Sequence, residues 1–332
     1  MASKILLPVG MVASKYAAPV ASDVHIDKAL SDLSLAYMNS KYIADMIFPI
    51  VPVDKQSDKF YKWTKDFWFR NSVRVRAPGG EFPEVGLGLT NDNYSTIVYN
   101  LAARLPDENI ANADEAVNEE FAKTKFLADQ FQLNREVQFV ADFFKTTVWG
   151  TDSTLSGTAQ WSDYANSDPI DDVKVAKQTV LKNTGQEPNL IVVGREVYDK
   201  LRDHPLILDK YRYTGVPSNL SFAQVAAALD IEKLIVGNAI DNSAQEGQTF
   251  AGEFLWGKKA MVLYVTPTPG LMVPNAGYTF TWRNLPGAEG LLVPIARKRD
   301  DLRNSWVLQG INSFDQKATG TDLGYFFDTA VA

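Results

Sequence analysis

The chain has 332 residues, of which 45% are hydrophobic and 11% aromatic, enough for a packed core in about two domains. Its formal net charge of −7 argues against tight, sequence-independent binding of nucleic acid, but leaves room for loose contact at a local basic face. The absence of cysteine excludes disulfides and thiolate chemistry, and two histidines, His25 and His204, are too few for a histidine-rich metal site. No window approaches the ~18 apolar residues that a membrane span needs.

The first 46 residues are predicted to form an extended arm with one short helical piece, in which Ile26, Leu30 and Leu33 share a face. Residues 47–53 have the composition of a strand, but Pro49 and Pro52 confine this strand to a sheet edge or an irregular extension. The sequence thus separates an N-terminal arm, residues 1–46, from the elements that follow.

A long, aromatic-rich hairpin is predicted next. Residues 58–76 run outward, a Pro-Gly-Gly bend stands at 78–80, and residues 94–104 run back. Alternating valine and arginine at 73–76 predicts a half-exposed strand. An isolated hairpin is marginally stable in water, and no partner segment is evident nearby in the chain, so another copy of the protein is the expected partner. The candidate intersubunit residues are Trp63, Phe67, Trp68, Arg70, Arg74, Arg76, Phe82 and Tyr94.

One long helix is predicted from residue 112 to about residue 149, a length of about 55 Å at ~1.5 Å per residue. Asn112 can serve as its N-cap, Glu115 stands where a capping box requires it, and Gly150 follows its end. The periodicity of the apolar residues between these points indicates a helix packed on one side.

A compact α/β unit of about 100 residues is predicted to begin at Asp168 and Pro169, which favour a helix start. Strands are expected near 189–193 and 234–236, helices near 195–202 and 222–229, and a hairpin near 254–265. The tail returns to short strands near 278–282, 291–295, 306–311 and 324–327. These are expected to pack beside the long helix, which would make the first domain discontinuous in sequence.

Motifs with catalytic or ligand-binding counterparts are incomplete in this chain. Residues 252–258 have the spacing of a phosphate-binding loop, but Lys259 stands in place of Ser or Thr and strands flank both sides. His204 has no matched nucleophile motif, which favours a structural role. Asp171 and Asp172 could bind a cation or be a solvated helix start. Residues 86–88 lack the third glycine of a dinucleotide fingerprint, and the aromatic cluster at 60–69 favours burial in an interface over stacking on single-stranded nucleic acid.

The order of N-terminal arm, extended hairpin, long helix, α/β unit and closing strands resembles that of the major capsid protein of tailed double-stranded DNA bacteriophages, over nearly the whole chain. The resemblance is carried by residues 60–104, by residues 112–149, and by the run at 189–194 followed by Tyr198 and Leu201. Residues 306–311 and 324–327 look like the family's last peripheral-domain strands.

The resemblance implies an α+β fold of the tailed-phage major capsid protein type, with an extended β-hairpin E-loop, a long spine helix, a peripheral domain and an α/β axial domain. The implied boundaries are 1–46 for the N-terminal arm, 57–105 for the E-loop, 47–56 with 106–166 and 271–332 for the peripheral domain, 112–149 for the spine helix within it, and 167–270 for the axial domain.

By this resemblance the chain is expected to be a structural protein, not an enzyme, that self-assembles into hexamers and pentamers of an icosahedral capsid around the phage's double-stranded DNA. The E-loop would lie over a neighbouring subunit. A portal and a scaffolding protein are further expected partners, and whether a decoration protein is needed is left open. Contact with DNA would be loose and non-specific. No cofactor, metal or membrane is expected. The expected location is the virion, after assembly in the cytoplasm of the bacterial host.

Two alternatives stay open. An encapsulin-type nanocompartment shell would share the fold but store a cargo enzyme, and an α/β hydrolase or nucleotide-binding enzyme is a more remote alternative. The arginines of the hairpin are interpreted either as intersubunit charge partners or as solvated charges worth ~0–1 kcal/mol per pair. For the basic residues 297–299 the solvated interpretation is favoured, and acidic counterparts stand at 114–115, 119–120 and 300–301.

Overall fold

The computed structural model describes residues 42–332 except 64, 77, 83, 87, 113–118, 213–219, 243, 245–246, 250, 267, 271–272 and 288–292. The predictions for residues 1–41 and for Glu115 in the capping box of the long helix fall outside the described residues, whereas Asn112, predicted as the N-cap of that helix, is the last residue of a helix that begins at Asp107. No helix in the described part is long and apolar enough to cross a lipid bilayer.

The helices begin and end where side chains and glycines dictate. Asp168 accepts hydrogen bonds from the backbone N–H groups of Ile170 (3.0 Å) and Asp171 (3.1 Å), and Pro169 occupies the first turn. Gly185 closes the same helix at φ 70°, a left-handed conformation that favours glycine. This helix is therefore confirmed as predicted. The α-helices are α1 (Ala44–Ile47), α2 (Lys65–Trp68), α3 (Asp107–Asn112), α4 (Glu119–Phe143), α5 (Pro169–Thr184), α6 (Arg195–Arg202), α7 (Pro205–Asp209) and α8 (Phe222–Ala228).

The strands are mostly short, apart from two long strands that pair with each other in the first of two five-stranded sheets. The strands are β1 (Ile50–Val53), β2 (Ser57–Trp63), β3 (Leu89–Ser95), β4 (Ile97–Pro106), β5 (Thr151–Thr154), β6 (Leu190–Gly194), β7 (Lys233–Gly237), β8 (Ile240–Asn242), β9 (Gly252–Phe254), β10 (Ala260–Leu263), β11 (Gly277–Trp282), β12 (Ile295–Asp300), β13 (Ser305–Ala318) and β14 (Gly324–Asp328).

The first sheet is built around β13. This strand pairs antiparallel with β12 and then β11 along one side, and with the whole of β4 along the other. β1 joins β11 in parallel. Among the described strands β4 pairs only with β13, so it forms one edge of the sheet. Helix α4 packs against this sheet: Leu127 is buried with Ile295 and Leu308, and the Tyr99 hydroxyl of β4 donates to Gln138 at 3.2 Å.

The second sheet has the order β5-β14-β10-β6-β7 and is covered on both faces. Along β6, Ile191 and Val193 face a cluster formed with α5, α6 and α8, whereas Leu190 and Val192 face a cluster that includes Phe139 of α4. A strand buried on both faces has a continuous apolar sequence rather than an alternating one, as β6 does. Helix α4 therefore contacts both sheets.

The long helix ends at Phe143 rather than near residue 149. Thr147 adopts φ 71°, which turns the chain, and the indole of Trp149 folds back to donate to the Phe143 carbonyl oxygen at 2.8 Å. Trp149 is buried in the cluster that contains Phe48. The apolar spacing predicted a longer helix. The burial of Trp149 depends on distant parts of the chain, so no local sequence signal shows where the helix ends.

Three strand predictions also need correction. The hairpin predicted near 254–265 does not form, because β9 pairs with β8 and β10 pairs with β6 and β14. Residues 73–76 are not a strand: Val73 and Val75 are both exposed, because the hairpin ladder joins only β2 and β3 and leaves these residues without a partner strand among the described residues. The last strand, β14, pairs with β10 and β5 in the second sheet instead of joining the other strands of the tail, β11, β12 and β13, in the first. Its aromatic residues fill the clusters on both faces of that sheet: Tyr325 and Phe327 on one, Phe326 on the other.

Candidate assembly interface

The hairpin arm, residues 57–95, is attached to the first sheet through aromatic rings. The ring of Tyr94 stacks on that of Phe280 with centroids 4.7 Å apart, and Phe60 lies 5.6 Å from the same ring. The backbone N–H of Ser95 donates to the Asp315 carboxylate at 2.8 Å. Tyr94 is only 7% exposed, so this predicted interface residue anchors the arm within its own chain.

The far end of the arm exposes large apolar side chains. Trp68 is 55% exposed, Phe69 64% and Phe82 77%, and two valines of the same segment are almost fully exposed. The side chains of Trp63 and Phe67 lie outside the described part. Exposed apolar surface of this size on one projecting segment is typical of a protein–protein interface.

Three predicted interface cations lie on the same segment, and all three are exposed. The Arg76 guanidinium stands 4.4 Å from the centroid of the Phe82 ring and donates to the Gly80 carbonyl oxygen at 2.6 Å. Arg70 and Arg74 make no ion pair with any residue that the structure describes. The far end of the arm therefore presents exposed apolar side chains together with two arginines that form no ion pair with a described residue.

The arm also contacts the body of its own chain. The Lys65 ammonium lies 2.5 Å from the Asp322 carboxylate. The Phe69 ring lies against Gly185, where an added Cβ would stand 3.1 Å from a ring carbon. Both contacts are at the surface, so they orient the arm without burying its apolar end.

Two of the three basic residues of the tail, Arg297 and Arg299, have partners in the chain, contrary to the solvated interpretation. Arg299 forms a bidentate pair with Asp107 at 2.6 and 2.7 Å, and Arg297 lies 3.1 Å from Glu120. The Arg297 guanidinium also stacks 4.0 Å from the centroid of the Trp306 ring. These contacts join β12 to α3 and α4. They use Glu120 within the chain, which removes one of the predicted acidic counterparts of the arm.

A buried carboxylate that the sequence analysis missed connects three parts of the chain. Glu136 of α4 accepts the backbone N–H groups of Ile43 (2.9 Å) and Ala44 (2.8 Å) and the indole N–H of Trp256 (2.7 Å). The side chain is fully buried, and burial raises its pKa to about 7. Beside it, Arg135 pairs with Asp45 at 3.0 Å. Residues 43–45, the start of the described chain, are thus fixed to α4.

His204 serves a structural purpose. Its Nδ1 accepts the backbone N–H of Leu206 at 3.3 Å, which places the ring proton on Nε2, 3.2 Å from the Ser167 hydroxyl oxygen. That hydroxyl donates in turn to the Asp163 carbonyl oxygen at 2.6 Å. A nucleophilic serine needs a histidine that accepts its proton, and here the histidine donates. Burial also lowers the pKa of His204.

The other candidate ligand sites do not assemble. The phosphate-loop spacing, residues 252–258, falls on β9 and the turn that leads to β10, with no helix N-terminus to receive a phosphate. Asp172 accepts the indole N–H of Trp161 at 2.8 Å. Within the described ranges, no three His, Asp or Glu side chains are placed to hold a metal ion.

Comparison with known proteins agrees with this architecture. A family model described as phage major capsid protein E matches residues 146–257. The major capsid protein of Pseudomonas phage JBD67 is 32% identical over 312 residues, covering 92% of this chain and 97% of the relative.

Solved structures share the fold. A phage-related protein from Bordetella bronchiseptica RB50 aligns with a TM-score of 0.71 at 21% identity, covering 92% of this chain and 98% of that one. The mature capsid of bacteriophage PhiM1 (TM-score 0.56, 11% identity, 98% and 92% covered) and the SrpI encapsulin of Synechococcus elongatus PCC 7942 (0.53, 11%, 97% and 96%) align about equally well. The predicted α+β capsid fold is confirmed, although fold alone does not separate a capsid from an encapsulin. The identity to a phage capsid protein across nearly both whole chains does separate them: the chain belongs to the phage major capsid protein family.

Proposed function

We propose that this chain assembles as hexamers and pentamers into the icosahedral head of a phage and encloses its double-stranded DNA. The observation that carries the proposal is the 32% identity to a phage major capsid protein over 92% of the chain. The arm supports it independently, because a projecting segment with exposed aromatic and basic side chains suits contact with a further copy.

The arm is proposed to act as the E-loop, which lies over a neighbouring subunit. Complete burial of Trp68 and Phe82 would contribute on the order of 1.5–3 kcal/mol each, and Arg70 and Arg74 would meet carboxylates of the neighbour. Weak contacts of this kind suffice because a shell repeats them many times. Residues 47–56, 106–166 and 271–332 would form the peripheral domain and residues 167–270 the axial domain, with β5 and β14 of the peripheral ranges contributing to the second sheet.

The remaining expectations concern partners and place. We infer that a portal and a scaffolding protein take part in assembly in the host cytoplasm, that a decoration protein is optional, and that the shell becomes part of the virion. The net charge of −7 suits loose contact with packaged DNA, because tight phosphate contacts would hinder packaging and release. The role is structural rather than enzymatic, which agrees with the donor role of His204 toward Ser167.

The proposal is tested by a double substitution, Trp68→Ser with Phe82→Ser, in the full chain. Both side chains are exposed in the subunit, so folding measured by circular dichroism should be unchanged, whereas shells seen by negative-stain electron microscopy and sedimentation should be lost. Val175→Ser, which removes an exposed apolar side chain from α5, is the matched control and should still assemble. Normal shells from the double variant would contradict the proposed role of the arm.

A further inference from the structure

The outer edge of β4 carries unpaired backbone groups. The Asp107 N–H donates to the Asn304 carbonyl oxygen, which continues the β4–β13 register and shows that the odd-numbered residues of β4 bond to β13. The even-numbered residues therefore direct N–H and C=O away from β13. The Arg104 carbonyl oxygen points outward and accepts from the Lys123 ammonium at 2.6 Å, in agreement with this pattern.

Three residues of this edge remain open. No described strand pairs with the outer side of Val98, Asn100 and Ala102, and the last two are exposed. The neighbouring Ile97 and Leu101 are also exposed, at 58% and 39%. Such an edge is a ready template for another strand.

The other edges of the first sheet are protected. β12 presents Arg297, Lys298 and Arg299 in succession, and the short strand β1 contains Pro52, which lacks an N–H. Residues 97–103 of β4 contain neither a charge nor a proline. Proteins normally block a free edge with such residues. Because they are present at the β1 and β12 edges and absent from the β4 edge, the β4 edge is expected to have a partner in the assembled state.

We propose that this edge pairs with the β4 edge of a second copy, antiparallel, about a two-fold axis at Asn100; the inference rests on the proposed self-assembly. In this register Asn100 faces Asn100, and Val98 faces Ala102 from each side. Each of these pairs can exchange two hydrogen bonds, and Lys123 closes the ladder at Arg104.

The uncharged sequence favours this occupant over a different strand. A two-fold contact places each residue near its own equivalent, so any charge close to the axis would meet a like charge. β4 satisfies this condition along 97–103. Paired edges would form one continuous sheet across two subunits, a contact separate from that of the arm.

A cysteine scan tests the geometry, since the native chain has no cysteine. Opposed residues of a bonded pair stand ~5.5 Å apart at Cα, within the range of a disulfide. Oxidised shells of Asn100→Cys should contain covalent dimers, and shells of Leu302→Cys, a 98% exposed site in the turn between β12 and β13 of the same sheet, should contain none. Shells of Asn100→Cys that yield no dimers would overturn the inference, whereas failure of the unsubstituted chain to form shells would count against the proposed function instead.

Charge complementation provides the second test. Asn100→Lys and Asn100→Asp should each reduce shell yield at least tenfold, because like charges meet at the axis, and an equal mixture of the two should restore it. Asn91→Lys and Asn91→Asp, exposed on β3, are the matched controls and should assemble alone and mixed. Unimpaired assembly of both Asn100 variants, or a mixture no better than either alone, would overturn the two-fold pairing.

Discussion

The buried carboxylate of Glu136 should determine how firmly the start of the described chain is held to α4. Replacing Glu136 by Ala leaves the backbone N–H groups of Ile43 and Ala44 and the indole N–H of Trp256 without their acceptor. Replacing it by Gln keeps one oxygen and turns the other position into a donor. The two variants therefore remove different amounts of the same hydrogen-bonded junction.

The magnitude follows from the cost of unsatisfied buried donors, ~1–3 kcal/mol each. Partial solvation of the released segment offsets part of this cost, so Glu136→Ala should weaken the junction by about 2–4 kcal/mol and Glu136→Gln by about 1–2 kcal/mol. At 1.4 kcal/mol per factor of ten, amide exchange near residues 43–44 should accelerate by about 30- to 700-fold in the Ala variant and about 5- to 30-fold in the Gln variant.

Hydrogen–deuterium exchange of the unassembled subunit, read by mass spectrometry on peptides that cover residues 42–48, measures this directly. Gln138→Ala is the matched control, since Gln138 lies on the same helix and bonds to Tyr99 and Asn134 but not to residues 43–44. Unchanged exchange at 42–48 in Glu136→Ala would refute the account of this junction.

Three further predictions concern pH, packing and a buried cation. The pKa of Glu136 is about 7 in the folded chain, above its unfolded value, so its contribution to stability is present below about pH 4.5 and lost as the pH rises through 7. In urea titrations, the unfolding free energy of the natural chain relative to Glu136→Gln should therefore fall by about 3 kcal/mol between pH 4.5 and 8. A difference that does not change with pH would contradict this prediction. Gly194→Ala should prevent folding into soluble subunits, since its Cβ would stand 1.8 Å from the Gly257 carbonyl oxygen. Gly86→Ala is the control and should express normally, because open space surrounds this position. Equal soluble yields of the two variants would argue against the close approach at Gly194. Lys177→Met should lower the thermal unfolding midpoint of the subunit slightly, because the buried Lys177 pairs with Asp230 at 2.7 Å and with Glu187 at 3.0 Å. Both carboxylates are exposed, so each pair should contribute only ~0–1 kcal/mol. Lys174→Met is the control, and equal midpoints for the two variants would refute this prediction.

Local sequence signals predicted much of the fold. The cap at Asp168, the left-handed Gly185 and the continuous apolar run of β6 each act within a few residues, and each element is found as predicted. The hairpin was also predictable, because β-forming residues on both limbs leave little choice of structure. A hairpin does form, but its ladder joins residues 57–63 with 89–95, whereas most of the predicted return limb, residues 94–104, lies in β4 and pairs with β13.

Contacts between distant parts of the chain explain where the structure differs from the sequence-based predictions. The early end of α4 depends on the burial of Trp149, and the place of β14 depends on two clusters that form only when distant segments meet. The buried position of Tyr94 depends on Phe280, far along the chain. Glu136 gave no signal, since a carboxylate in the middle of a helix normally faces solvent. The composition of the arm indicated an interface, but only the structure separated its buried base from its exposed end.

The most direct test of the central claim is electron microscopy of the purified full-length chain, with particle mass measured across protein concentration and salt. The account predicts closed icosahedral shells, or ring-shaped hexamers and pentamers that convert to shells as concentration rises. A single small oligomer under every condition, including in the presence of the phage's own scaffolding protein, would contradict it.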